Sequence, residues 1–589
     1  MKRRLLPILM TLVLVCALPI WAAFVTSGDV TTALVSTAWA DTAEGEGSSG
    51  TAEVQFTEVD DETILKNAVA AGNSVKLTGD VKLTSSLYIG KPVTLDLNGH
   101  VLTRKNTDRY DIVIIQAGAT LTLIDSNTGN LQHKFNAGEG GWTKAADDAT
   151  GEGIVTVSGG VIYGDAGSSI DTCGIKILDG KLEMYGGNIV GIGNGYTHAY
   201  GGGVYVSDKC TFNMYGGSIK GCYVWSDGGG VYVAAGGTFT MSGSSTIEGC
   251  NASSGGGVYS AGTFTMSGNS CIRNCIYRSG AGSGGVHSAG TFNLNGGSVV
   301  RSLSGYNDNK EGVGICNAGT LNATISVSCW VSNYSIISEG TFTGNFSNDS
   351  GGTISGGEFQ GEVENCATIN GGKFSVGKVR NAGGHITKGT FNVPVVNEGG
   401  WIYGGTFLDT VTNKTMIFGG EFRKTVNNTG EICGGNFYGT VNNDGRIGSD
   451  LSKEYDGGTF YGTVTGSGRI NDGAYETVTF NSDGGTPVEE AKVLRGQKVA
   501  KPTDDPTKSG YTFIGWEDAD GAYNFSKPVI APLTLTAKWE KKPSSGYYYT
   551  PPAEPPVSSP KTADPGAALY GALALLSLTG MVALNGKKR

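Results

Sequence analysis

From Val75 onward the chain is written in short runs with apolar residues at alternate positions: Val75–Leu77, Val81–Leu83, Leu87–Ile89, Val93–Leu97, Ile112–Ile115 and Thr120–Ile124. Runs of this length and period are strands that bury one face, and the Gly, Asn, Ser and Asp between them supply turns. Between Ala199 and Cys316 the runs fall into a fixed beat. Gly201-Gly202-Gly203-Val204-Tyr205-Val206 returns as Gly228-Gly229-Gly230-Val231-Tyr232-Val233 and as Gly255-Gly256-Gly257-Val258-Tyr259-Ser260, then more loosely at Gly284-Gly285-Val286 and Gly312-Val313-Gly314. The last glycine of each copy stands at 203, 230, 257, 285 and 314, giving steps of 27, 27, 28 and 29 residues. A second phrase, Thr211-Phe212-Asn213-Met214, recurs in step at Thr238, Thr263 and Thr291. Strands repeating at such a period are the signature of a solenoid. The expected fold is all-β: a right-handed parallel β-helix with about three strands per long coil, its coils rising about 4.8 Å each.

From about Gly340 the beat shortens. Gly-Gly-x-Phe or a close variant places Phe at 342, 359, 374, 391, 407, 422, 437 and 460, mostly 15 to 17 residues apart. A coil that short holds only two or three very short strands, so the solenoid narrows, and the regular alternation with glycine turns points the Phe side chains into the core as a ladder. The expected domains are long coils over 55–335, short coils over 336–475 and a module of different character over 476–540. About fourteen coils make a rod on the order of 70 Å.

The ends are of another kind. Residues 1–40 read as a secretion signal: Lys2-Arg3-Arg4, an apolar run from Leu5 to Ile20, and a small-x-small site that puts cleavage between Ala40 and Asp41, with Ala23 a nearer alternative. A retained membrane anchor is the competing reading of the same run. A flexible leader follows over 41–54. Over 62–71, Ile64, Leu65, Ala68 and Val69 share one helical face, which suits a cap on the open end of the solenoid. Ser126–Gly153 breaks the period and reads as a loop leaving the coils, which resume at Ile154–Val157. Residues 541–565 are a Pro-, Ser- and Tyr-rich linker, and 566–589 carry an apolar stretch, 566–584, long enough to span a bilayer, before the basic tail Lys587-Lys588-Arg589.

Three stretches resemble known families. The helix, Leu77-Thr78-Gly79-Asp80 and Leu95-Asp96-Leu97-Asn98-Gly99-His100 resemble the start of large secreted β-helix proteins of Gram-positive and related gut bacteria. Val478-Thr479-Phe480-Asn481, Asp483-Gly484-Gly485, Gly510-Tyr511-Thr512-Phe513-Ile514-Gly515-Trp516 and Leu533 to Trp539 resemble the surface repeat first associated with Listeria internalins and Bacteroides. That resemblance implies a small β-grasp-like module used as a stalk or spacer. Ser559-Pro560-Lys561-Thr562-Ala563, ahead of the apolar span and basic tail, resembles a sortase sorting signal with Ser559 where Leu is usual and Ala563 where Gly is usual. It implies cleavage between Thr562 and Ala563 by a sortase-type transpeptidase and attachment to cell-wall peptidoglycan. Without it, the apolar span alone is a membrane anchor.

Composition narrows the function. The 97 glycines among 589 residues suit a fold that turns several times per coil, while 16 prolines without a Gly-X-Y period exclude collagen. Both termini are basic although the net charge is −10, so the body is acidic and nucleic acid is not an expected partner. Cys222, Cys250 and Cys275 close equivalent phrases and stack on one face, as buried thiols or, after export, as disulfides. The five histidines, at 100, 133, 198, 287 and 385, lack metal-ligand spacing. Catalysis on a solenoid needs acids recurring at one coil position. Asp227 stands alone beside Tyr200 and Ser254; Asp165, Asp171 and Asp179 read as turn residues, and Arg273, Arg278 and Arg301 as solvated corners. No catalytic, cofactor or metal residues are assigned. The expected function is an exported, surface-anchored structural or adhesive protein that binds glycan or host protein. The alternative is a surface-attached polysaccharide lyase or glycoside hydrolase, which would need a groove beside Ser126–Gly153 holding clustered Asp and Arg.

Overall fold

The computed structural model describes residues 54–543 except 105–109, 139, 165–171, 195–199, 279–281, 301, 305–310, 325 and 449–455. Its strands stack in parallel as a β-helix-like solenoid. A long coil runs through Val231–Val233, Thr238–Met241, Thr246–Glu248 and Asn251–Ala252, each paired in register with its counterpart one coil on. The three expected strands are therefore joined by a short fourth. Along one face, from Leu87–Ile89 to Val464–Thr465, seventeen strands succeed one another, more than the fourteen coils expected.

The interior is built of identical side chains in columns. Phe212, Phe239, Phe264 and Phe292 stack with ring centroids 4.7 to 4.9 Å apart. In the short coils Phe342, Phe359, Phe374, Phe391, Phe407, Phe422, Phe437 and Phe460 do the same at 4.6 to 5.1 Å, all buried. Each such pair adds about 0.5–1.5 kcal/mol beyond its area. Cys222, Cys250 and Cys275 are buried free thiols, each within reach of the carbonyl two residues before it. Burial pushes the Cys250 and Cys275 thiols up.

A further column was not anticipated. Asn317, Asn333, Asn348, Asn365, Asn381, Asn397, Asn413, Asn428 and Asn443 occupy one position in successive coils, at most 1 % exposed. Each Nδ2 donates to the Oδ1 of the next at 2.7 to 2.9 Å, an unbroken chain of eight hydrogen bonds. The amides also reach main-chain carbonyls near the corner, as Asn413 does with Thr415 and Glu431. The same position holds Val206, Val233, Ser260 and Ser288 in the long coils. The change from small to amide side chains accompanies the shortening, which sets in at the 16-residue step from Asn317 to Asn333, ahead of residue 336.

Each end of the solenoid is closed. Helix α1 (Glu62–Ala71) is capped by Asp61, whose carboxylate accepts from the Thr63 and Ile64 N–H groups, and ends on left-handed Gly72. Leu65, Ala68 and Val69 enter the core, whereas Ile64, expected on the same face, is 47 % exposed. The other end is covered by the module. Its strands Tyr475–Asn481, Ala491–Leu494, Tyr511–Asp518, Gly521–Ala522 and Leu533–Lys541 form one sheet in which the first and last pair in parallel. Leu494 packs on the solenoid core, and the Phe460 N–H donates to the Arg495 carbonyl at 2.7 Å. The Arg495 guanidinium is held by Glu476 at 2.6 Å and by Asp456, and the Gln497 amide donates to the carbonyls of Phe460 and Gly462. The module is thus a lid on the last coil as well as a neighbour of it.

Ser126–Gly153 is not a loose loop. Gln132–Asn136 pairs antiparallel with Thr143–Lys144 and with Ile154–Ser158, so Ile154–Val157 belongs to this excursion and the coils resume at Val161–Tyr163. Trp142 latches the flap down: its N–H donates to the Gly221 carbonyl at 2.8 Å and its indole lies over Gly221 and Gly249. A Cβ on Gly221 would meet the indole at 2.0 Å, and the backbone there has φ +57°. Gly221→Ala is therefore expected to lift the flap. Limited proteolysis should then cut within 126–153 at least about tenfold faster, the main thermal transition staying in place.

The secretion signal with Ala40 and Asp41, the linker from residue 544 on, Ser559, Pro560, Lys561, Thr562 and Ala563, and the apolar span 566–584 lie outside the described residues, while Lys541, expected in the linker, ends the last strand of the module. Among the described residues no helix is long and apolar enough to cross a membrane.

Candidate ligand-binding groove

In most short coils one corner is a Gly-Gly pair, and its second glycine, Gly405, Gly420 or Gly435, has φ between +112° and +120°. A Cβ on Gly405, Gly420 or Gly435 would meet the rings of the core Phe column at 3.2 Å, so these glycines let the chain turn close over that column, and a trough runs along the solenoid outside them. The open trough has a volume of about 730 Å³ and runs from Lys388 and Gly389 across three further corners to Asp456, Gly458 and Thr459. The floor is glycine: 405, 419, 420, 434 and 435.

The two banks differ. One is the outward row Thr390, Thr406, Glu421, Asn436 and Thr459, in register from coil to coil, of which the last four line the trough. The other carries Phe418, stacked on Tyr403 at 5.0 Å, with Trp401 and His385 beyond. Trp401 and Tyr403 are 41 % and 42 % exposed. Charge is sparse and mostly paired: Glu421 accepts from Arg423 at 2.7 Å, and Arg495 with Asp456 closes the far end. Cys433 is buried beside Glu431, its thiol pushed up to about 12 by burial.

The floor also offers backbone donors. Gly405, Gly420 and Gly435 use their carbonyls in the ladder, accepting from Glu421, Asn436 and Thr459 at 2.8 Å. Their own N–H groups donate to no acceptor among the described residues.

The residues weighed from the sequence lie elsewhere. Asp179 is exposed, while Asp165, Asp171 and Arg301 fall outside the described residues. Arg273 is held by Glu248 in a two-point ion pair, and Arg278 lies over Tyr223 at 4.5 Å on a different strand. Beside the flap, the Asp125 carboxylate is taken by the Gly99 and Gly160 N–H groups and Asp147 by Lys144, so these acids are engaged in holding the chain. A second cluster surrounds Asp227. Tyr205, Tyr232, Tyr259 and His287 stack in a row at 4.9 to 5.3 Å, and Ser254 Oγ bonds His287 Nδ1 at 2.7 Å. Burial raises the Asp227 carboxyl above its usual range and lowers His287 below its own. The rings in this row cover one another's faces, leaving edges rather than platforms for a ligand. Among the described residues no three His, Cys, Asp or Glu side chains converge to hold a metal.

These features define the class: an all-β repeat solenoid with a small β module closing one end. That module is of a known kind, since residues 477–538 match the model of the Listeria-Bacteroides repeat domain family. No curated protein and no solved structure matches the chain.

Proposed function

We propose that the protein is an exported structural or adhesive rod, displayed at the cell surface and anchored through its C-terminus. The observation that carries this reading is the match of residues 477–538 to a repeat typical of surface proteins. The internalin-type use of that repeat, the right-handed sense of the coils and a host glycan or protein ligand belong to the same proposal. So do the sorting signal Ser559-Pro560-Lys561-Thr562-Ala563, its sortase, the peptidoglycan acceptor and the membrane span 566–584. Asp41 would be the first residue of the mature chain. A solenoid closed at both ends suits this role, because it presents long repetitive flanks without exposed strand edges that would aggregate.

The test is made on cells carrying the full chain. Intact cells shaved with protease should release solenoid peptides, and muramidase digestion should release Thr562 joined to a wall peptide. Protein found only in the cytoplasm overturns the reading. Purified 41–540 assayed for glycan binding beside reducing-sugar release separates an adhesin from the lyase or hydrolase alternative.

A further inference from the structure

We infer that the glycine-floored trough over residues 388–459 binds a linear, uncharged oligosaccharide, taking about one sugar unit per coil. The inference rests on the adhesive reading and names the class of ligand for it.

The argument is one of spacing and of chemistry. The trough's groups recur once per coil, about 4.8 Å apart, close to the length of one sugar unit in an extended β-linked chain. The bank offers a polar side chain at each step, in the order Thr406, Glu421, Asn436, Thr459; at the first three it stands beside a second glycine whose N–H has no acceptor among the described residues, and at the last the Gly458 N–H is taken by the Asp456 carboxylate. Hydroxyl groups, which both donate and accept, fit a strip that alternates hydroxyl, carboxylate and amide partners. An extended polypeptide also repeats its polar groups, but its side chains would need room that the glycine floor supplies only at the corner. A polyanion would need clustered cations; the arginines nearest the trough are committed, Arg423 to Glu421 and Arg495 to Asp456 and Glu476. The bank at Phe418 and Tyr403, whose rings stack on each other, adds apolar ring edges on that side of the trough. The far end is walled by Arg495 with Asp456, so the number of units the trough takes is bounded.

The experiment uses the full chain and four defined series: cello-, manno-, xylo- and N-acetylglucosamine oligosaccharides of two to six units, with oligogalacturonate as the anionic comparison. Calorimetry should find at least one neutral series whose affinity climbs with each unit to four or five and then levels off. Thr406→Trp with Asn436→Trp, both on the bank and outside the core, should weaken that binding at least tenfold. Asn427→Trp, on another face, should leave it unchanged, and near-identical melting of the three variants controls for folding. Several outcomes overturn the inference while leaving the adhesive reading in place. They are binding only to oligogalacturonate, binding unaffected by the tryptophans, or adhesion of the cells to host surfaces with no oligosaccharide bound. No binding and no adhesion at all would remove both.

Discussion

Asn413→Asp is expected to destabilise the short coils by about 3–5 kcal/mol at neutral pH, the cost of an uncompensated buried charge. The substitution is nearly isosteric, so packing is not the cause. Asn413 accepts from Asn397 and donates to Asn428, both at 2.7 Å, with no exposed surface. A carboxylate still accepts from Asn397, but it then faces the Asn428 Oδ1 with like polarity and gives nothing to the Thr415 and Glu431 carbonyls. The pH dependence follows from the sign of the shift. Burial raises the folded carboxyl above its unfolded value of about 3.9, so the folded state holds the proton longer. The deficit is small below about pH 4, grows as the pH rises through that value and levels off above the folded pKa. Thermal melts from pH 3 to 8 beside the parent chain measure it directly. Asn413→Leu should cost about 1–3 kcal/mol for each partner left unpaired, with no such pH dependence. Equal melting of parent and Asp variant across the range would mean that the amide column does not hold the coils.

Removing the lid should have the second large effect. A chain ending at Tyr475 loses Leu494, Arg495 and Gln497 and bares the last coil, with Phe460, Ile470 and Ala474 at its edge. The peptide groups of that coil would then be open to another chain, and an uncovered parallel strand edge is a template for association. Size-exclusion chromatography with light scattering should show high-mass species where the full chain is monomeric. Arg495→Glu tests the same junction without deleting the module. Glu476 is 5 % exposed and is partnered by Arg495, so the reversal leaves buried like charges and should cost about 3–5 kcal/mol. A truncated chain that stays monomeric with an unchanged melting point would show the module to be only a spacer.

That lid illustrates what a linear reading misses. The four blocks from Val478 to Trp539 were legible as a surface repeat, yet the contact that matters joins Asp456 and Phe460 to Arg495 and Gln497. Nothing local to either stretch marks it. The coils, by contrast, were legible in detail, because alternate buried positions in each strand repeat with the period, and the alternation of Phe342 to Phe460 with glycine turns favoured the core over an outward-facing strip. The asparagine column was present in the text as Val-x-Asn at 363, 379, 395, 411, 426 and 441. It was overlooked because Asn between strands reads as a turn residue, and only stacking turns it into a donor for its neighbour. Ser126–Gly153 was misread for a related reason: Gln132-His133-Lys134-Phe135-Asn136 carries one large apolar residue, and Phe135 is buried in a small separate cluster with Trp142, Val157 and Tyr163 that forms only once the excursion folds back on the coils. The candidate groove was the least legible part. Each Gly-Gly pair reads as a corner in the sequence, whereas the trough that successive corners line follows only from the stacking of the coils.

The short coils also make length a countable quantity. Each coil of about fifteen residues brings the same interior set, such as Val411, Asn413, Ile417 and Phe422, and meets its neighbours through the same pairings. One coil can therefore be lost or duplicated without new joints having to be invented, since the seams on either side are alike. Such a change would shift the module one rise along the rod and lengthen or shorten the trough by the same rise. Among variants of this chain, reach from the surface and the size of ligand accommodated would be inherited together, in whole-coil increments.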